Sequence, residues 1–98
     1  MSSELAKRMR EIREAETSGR HEFSQLIGVA KKTVESIEQS GRPPKGEMLE
    51  AICMQWPKYS LWLMTGQVNE AAGQVSPEIE RTRDRLKPTG TDTGSRGE

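Results

Sequence analysis

Lys31 and Lys32 stand side by side at the head of a short amphipathic segment, with Arg20 before them and Arg42 and Lys45 after. Set against Glu22, Glu35 and Glu38, these cations offer one chemistry, the donation of N–H bonds to an anion. Two lysines in a first helical turn oppose the positive end of the helix dipole, at a cost of about 0.3 to 1 kcal/mol each. Ala30, immediately before them, has no side chain that caps. A lysine pair on a helix is often only a solvated face. Here, though, two local choices work against the fold at one spot, and an anionic group such as a phosphate or a guanine edge reverses that conflict.

The other reactive groups fail on spacing or company. Glu35 and Glu38 form a carboxylate pair, but no second cluster and no glycine-rich phosphate loop accompany them. His21 and Ser24 are one helical turn apart and lack a third group to orient them. Cys53 stands at core spacing with Met48 and Ile52 and reads as a small hydrophobe rather than a ligand. The expectation is therefore a non-enzyme with no catalytic residue, metal site or cofactor. Trp56, Tyr59 and Trp62 are either a base-stacking platform or core packing, with Trp62 also available to a dimer seam.

The elements that must position these groups are all helical. From Ser3, Leu5, Met9 and Ile12 recur at helical spacing, and that helix ends near Thr17-Ser18-Gly19. Phe23, Leu26 and Ile27 mark a second helix, opened by Ser18 or Gly19 and closed by Gly28. Val34 and Ile37 give a third, from about Lys31 to Gln39, stopped by Gly41 and Pro43-Pro44. A fourth carries Met48, Leu49, Ile52 and Cys53 and breaks at Trp56-Pro57. A short fifth runs from Ser60 to Thr65 before Gly66.

Beyond that point the pattern thins. Residues 67–75 read as a linker, and 76–87 as a C-terminal helix opened by Ser76-Pro77. Residues 88–98, rich in Gly, Thr and Ser, are expected to be a disordered tail. Ile79 and Leu86 are seven apart, too thin a stripe to hold that helix alone, so it either lies back on the domain or pairs with a second subunit.

At 98 residues the chain has room for one small domain and none for a separate sensor or catalytic domain, and one cysteine excludes an internal disulfide. Fifteen basic residues balance fifteen acidic ones, so any anion site must be a local patch rather than a basic field. No apolar run has the length of a membrane span and none follows the charged opening, so no membrane is expected as a partner and the location is read as cytoplasmic.

Between Arg20 and Gln39, two short helices meeting at Gly28 can cross tightly only if a small residue faces the partner helix, and Ser24 is that residue. Phe23, Ile27, Val29, Val34 and Ile37 supply the apolar positions at the spacing this needs. With LAKRMREIR before, EFSQLIGVAKKTVESIEQSGRPPKGEMLEAI across and YSLWLMTG after, residues 5–66 resemble the lambda-repressor-like (Cro/XRE-type) helix-turn-helix family. The resemblance implies an all-α, five-helix domain over residues 1–66, here followed by the short C-terminal helix. It also implies major-groove reading of double-stranded DNA by the third helix, as a homodimer on a near-palindromic site.

On that pattern Lys31, Lys32, Glu35 and Ser36 fall at base-facing positions, with Ala30 beside them. Arg20, Thr33, Arg42 and Lys45 fall to the DNA backbone. Arg13 and Glu38 stand where the family pairs an arginine ending the first helix with a glutamate ending the third. Trp62, Ile79 and Leu86 are the dimer candidates. The chain departs from the pattern at Thr17-Ser18-Gly19, where Gly-Leu-Ser is usual, at Ser24 for alanine, at Ala30 for a capping Ser or Thr, and at Trp56-Pro57.

The function expected is that of a transcription regulator, of Cro-like or prophage repressor type, since a chain this short blocks a promoter simply by occupying it. Two alternatives stay open: a DNA-binding antitoxin that meets a protein partner through its C-terminal segment, and a protein-interaction module that keeps the fold without binding DNA.

Overall fold

The computed structural model describes residues 3–86, with side chains through Asp84. The tail expected over 88–98, Lys87 and the side chain of Leu86 lie outside the described residues. Six α-helices follow in order: α1 Glu4–Glu16, α2 Arg20–Ile27, α3 Lys31–Ser40, α4 Gly46–Gln55, α5 Ser60–Thr65 and α6 Pro77–Leu86. Short 3-10 turns lie at Pro57–Tyr59 and Glu70–Ala72. Among the described residues there is no strand, only a single bridge between Asn69 and Gln74. This is an all-α helix-turn-helix domain.

Each early boundary has a local cause. The Ser3 hydroxyl caps α1 by accepting from the Leu5 and Ala6 amides. Gly28 (φ 73°) and Gly41 (φ 74°) take the left-handed conformation that ends α2 and α3, which a side chain would strain. The core then assembles from one stripe per helix: Met9 and Ile12, Phe23 and Ile27, Val34 and Ile37, Ile52, and Leu63. Ser24 is buried between α2 and its neighbours, its hydroxyl donating to the His21 carbonyl at 2.7 Å, so no polar atom is stranded.

The aromatic residues pack rather than form an open platform. Phe23 and Trp56 stack with centroids 5.6 Å apart and planes 6° from parallel, and Tyr59 is fully buried. Trp62 is half-buried against the core, and Cys53 is only partly buried.

Residues 67–75, read as a linker, connect α5 to α6 with more structure than their composition suggests. The Gln74 side chain accepts from the Leu61 amide at 2.9 Å and donates to the Pro57 carbonyl at 3.0 Å. Val75 is 1% exposed, in the core itself. From there Ser76 opens α6, its hydroxyl accepting from the Ile79 amide at 3.2 Å. Within the single chain, α6 lies against α1, with Ile79 packed on the core. No helix among the described residues is long and apolar enough to cross a membrane.

Candidate nucleic-acid interface

The outer side of α3 collects most of the residues singled out by spacing. Val34 and Ile37 are buried, which turns Lys31, Lys32 and Thr33 to solvent and leaves Glu35 and Ser36 partly exposed. Neither helix of the motif has a side-chain N-cap. Gly19 precedes α2 and Ala30 precedes α3, and neither contributes a side-chain hydrogen bond to the amides that follow. An uncapped first turn carrying Lys31 and Lys32 is a patch where helix amides and two ammonium groups face the same solvent.

What fixes the tilt of α3 lies underneath. Glu38, whose side chain is 2% exposed, accepts from Arg13 at 2.6 Å (Nε to Oε2) and 3.0 Å (Nη2 to Oε1). This two-pronged bond ties the end of α1 to the end of α3, a geometry that only a planar guanidinium supplies. Arg20 joins the same carboxylate, its Nε donating to Oε1 at 3.1 Å. The residue assigned to a phosphate therefore also anchors the start of α2 to α3. One carboxylate ties α1 to both helices of the motif, α2 and α3.

The remaining assigned residues are arranged as follows. Lys31 lies 3.9 Å from Glu35, one turn along, on a partly solvated side where such a pair adds little. Arg42 sits in the loop after α3, with its Nη2 donating to the Ser36 hydroxyl at 3.0 Å. Thr33, Arg42 and Lys45 border a groove of about 500 Å³ floored by Ile37 and Met48. A second groove, of similar size, is lined by Arg20, His21 and Lys31. A third, about 460 Å³, runs along Lys32, Glu35, Ser36, Gln39 and Ser40.

Gln39 was not singled out from sequence, yet it shares the open face of α3, seven residues from Lys32 and three from Ser36. That spacing was the available signal. Trp62, Ile79 and Leu86 are not part of this face. Trp62 and Ile79 pack on the core, and the Leu86 side chain is outside the described residues.

A second polar cluster also escaped the sequence. Lys58 lies 2.8 Å from Glu80 and 3.3 Å from Glu16, and the Tyr59 hydroxyl donates to Glu16 at 2.5 Å. Burial, and then the bond to Glu16, push the Tyr59 phenol far above its ordinary value. Burial alone would lower the Lys58 ammonium, but its bonds to Glu80 and Glu16 outweigh that and raise it. Among the described residues no group of three or more His, Cys, Asp or Glu is arranged to hold a metal ion.

The chain matches no protein-family model. It is 33% identical over 82 residues to repressor protein C of Escherichia phage P2, an alignment covering 81% of this chain and 82% of that protein. The chain belongs to the phage repressor family represented by that protein.

Proposed function

We propose that this chain is a sequence-specific DNA-binding repressor, which lays α3 in the major groove and occupies a near-palindromic operator as a dimer. One observation carries the reading: the uncapped, doubly cationic first turn of α3, held in place by the buried Glu38 carboxylate. The repressor name of the phage relative supports it. Lys31 and Lys32 read base edges with help from Glu35, while Arg20, Thr33 and Lys45 hold phosphates. Arg20 suits that task because Glu38 binds only its Nε, leaving the outer nitrogens of the fork to face an anion. Of the dimer candidates, Trp62 on α5 keeps part of its surface open for the two-fold contact, while Ile79 packs on the core of its own chain.

The test is selection of bound sequences from a random DNA pool, followed by affinity against salt for variants. The expected result is a motif with two half-sites about one helical turn apart, roughly 34 to 36 Å, with two chains per site in sedimentation. Lys31→Ala and Lys32→Ala should each cost about 1 to 3 kcal/mol on the operator and relax one base pair per half-site. Lys45→Ala should weaken all sequences alike and lower the salt slope by about one. Equal losses on operator and unrelated DNA for the α3 lysines would make them backbone clamps. One chain on a site without symmetry would remove the dimer.

A further inference from the structure

Ser36 and Arg42 were assigned opposite tasks, one to bases and one to phosphate, yet in the structure they form a single unit. The Arg42 guanidinium reaches back from the loop and donates from Nη2 to the Ser36 hydroxyl at 3.0 Å. Ser36 belongs to the open face of α3, with Lys32 and Gln39. The charge of Arg42 is thus delivered onto the helix that enters the groove, not held out along the loop.

The main chain beneath Arg42 is restrained on both sides. Gly41 before it is buried, with a left-handed φ of 74°, and its carbonyl accepts from the Ser3 amide at 2.6 Å. The Arg42 amide donates to the Ser40 hydroxyl at 3.3 Å, and Pro43-Pro44 follow, with Pro44 buried. An exposed arginine usually loses considerable side-chain freedom when it binds. Here both its root and its tip are placed in advance. A guanidinium fork suits a phosphate as well as a base edge, but the bond to Ser36 brings this fork onto the open face of α3, the face that the proposed reading turns to the bases.

We propose that Arg42 is a specificity-determining residue that takes guanine through its two-pronged fork, and that Ser36 is a positioning residue which aims it rather than a reader itself. This rests on the DNA-binding reading above. Using one of five N–H donors on Ser36 leaves enough for the parallel pair of bonds to guanine O6 and N7. Ser36 then contributes to affinity only through Arg42.

The experiment is random-pool selection and affinity measurement on the full chain for the parent, Arg42→Ala, Arg42→Lys, Ser36→Ala, Ser36→Thr and the Arg42→Ala/Ser36→Ala double variant. Arg42→Ala should lose about ten- to a hundred-fold on the selected operator, far less on unrelated DNA, and preference for one guanine per half-site should vanish. Arg42→Lys should not restore it, because an ammonium lacks the fork. Ser36→Ala should relax that same base pair to a smaller degree, Ser36→Thr should rescue it, and the double variant should match Arg42→Ala alone. A uniform loss across all sequences for Arg42→Ala overturns the proposal, as does a Ser36→Ala change at a different base pair from Arg42. A parent chain that enriches no motif overturns the DNA-binding reading itself, an outcome visible before any variant is compared.

Discussion

Glu38 is one carboxylate between two guanidiniums, whereas Lys58 is one ammonium between two carboxylates. Both clusters join three chain segments, and both use α1 as one wall, through Arg13 in the first case and Glu16 in the second. Burial separates them. The Glu38 side chain is 2% exposed and Lys58 38%, so an ion lost from the first cluster leaves charge stranded, while an ion lost from the second is met by water. The first cluster sets the pose of α3, and the second holds α6 to the domain. The proposed reading, in which α3 is laid in a groove at a fixed angle, calls for the stiffer device there.

The largest expected effect is therefore at Glu38. Glu38→Ala should cost about 3 to 5 kcal/mol in urea denaturation, because Arg13 and Arg20 keep their charges without the partner. A double-mutant cycle with Arg13→Ala should show strong coupling, and additive losses would mean that the bond contributes nothing and the contrast drawn here is false.

Next is Tyr59→Phe, which deletes the hydroxyl that donates to Glu16 while keeping the ring in the core. A loss of about 1.5 to 3 kcal/mol is expected, since the bond ends on a charged group. A neutral result would place Glu16 on Lys58 alone.

The third effect appears only with pH. Tyr59 and Lys58 both hold their protons more tightly folded than unfolded, so their contribution is complete below the ordinary values of 10.0 and 10.5. It is lost as pH climbs from there through the raised folded values. Melting temperature measured from about pH 9 to 11 should fall more steeply in the parent than in Tyr59→Phe. Equal slopes in the two proteins would remove Tyr59 from the account.

The smallest effect is Glu80→Ala, expected to cost about 0 to 1 kcal/mol because the pair with Lys58 is partly solvated. Hydrogen exchange should quicken in the α6 amides and leave those of α3 unchanged. Faster exchange throughout would show that α6 is integral to global stability.

How much of this was legible in the sequence follows from how local each signal is. Gly28, Gly41 and Gly66 punctuate helices by their own conformational freedom, so the bounds of α2, α3 and α5 are readable from a few residues. Arg13 and Glu38 are 25 positions apart, and their pairing came only from the family resemblance, not from spacing. Lys58 and Glu80, or Tyr59 and Glu16, meet because the chain turns at Trp56 (φ −131°, ψ 74°), and no periodicity encodes that direction. Val75 is buried while Val68, Ala71 and Ala72 before it are exposed, so their spacing does not announce its burial. The bond from Arg42 to the Ser36 hydroxyl was beyond reach too, since the loop's path decides where a guanidinium lands.

The Gln74 side chain, which serves the Leu61 amide in the first turn of α5 from downstream, bears on how the protein is born. The six-residue α5 is too short to persist on its own. Its Leu61 amide finds its partner only in Gln74, and the next residue, Val75, fills the core. On a ribosome, which delivers the chain N-terminus first, α1 to α4 can gather while α5 still lacks both. The closing of α5 thus waits on two side chains beyond the motif itself. A nascent chain stalled at Gly66 should remain protease-sensitive at α5, and one extended through Ser76 should not.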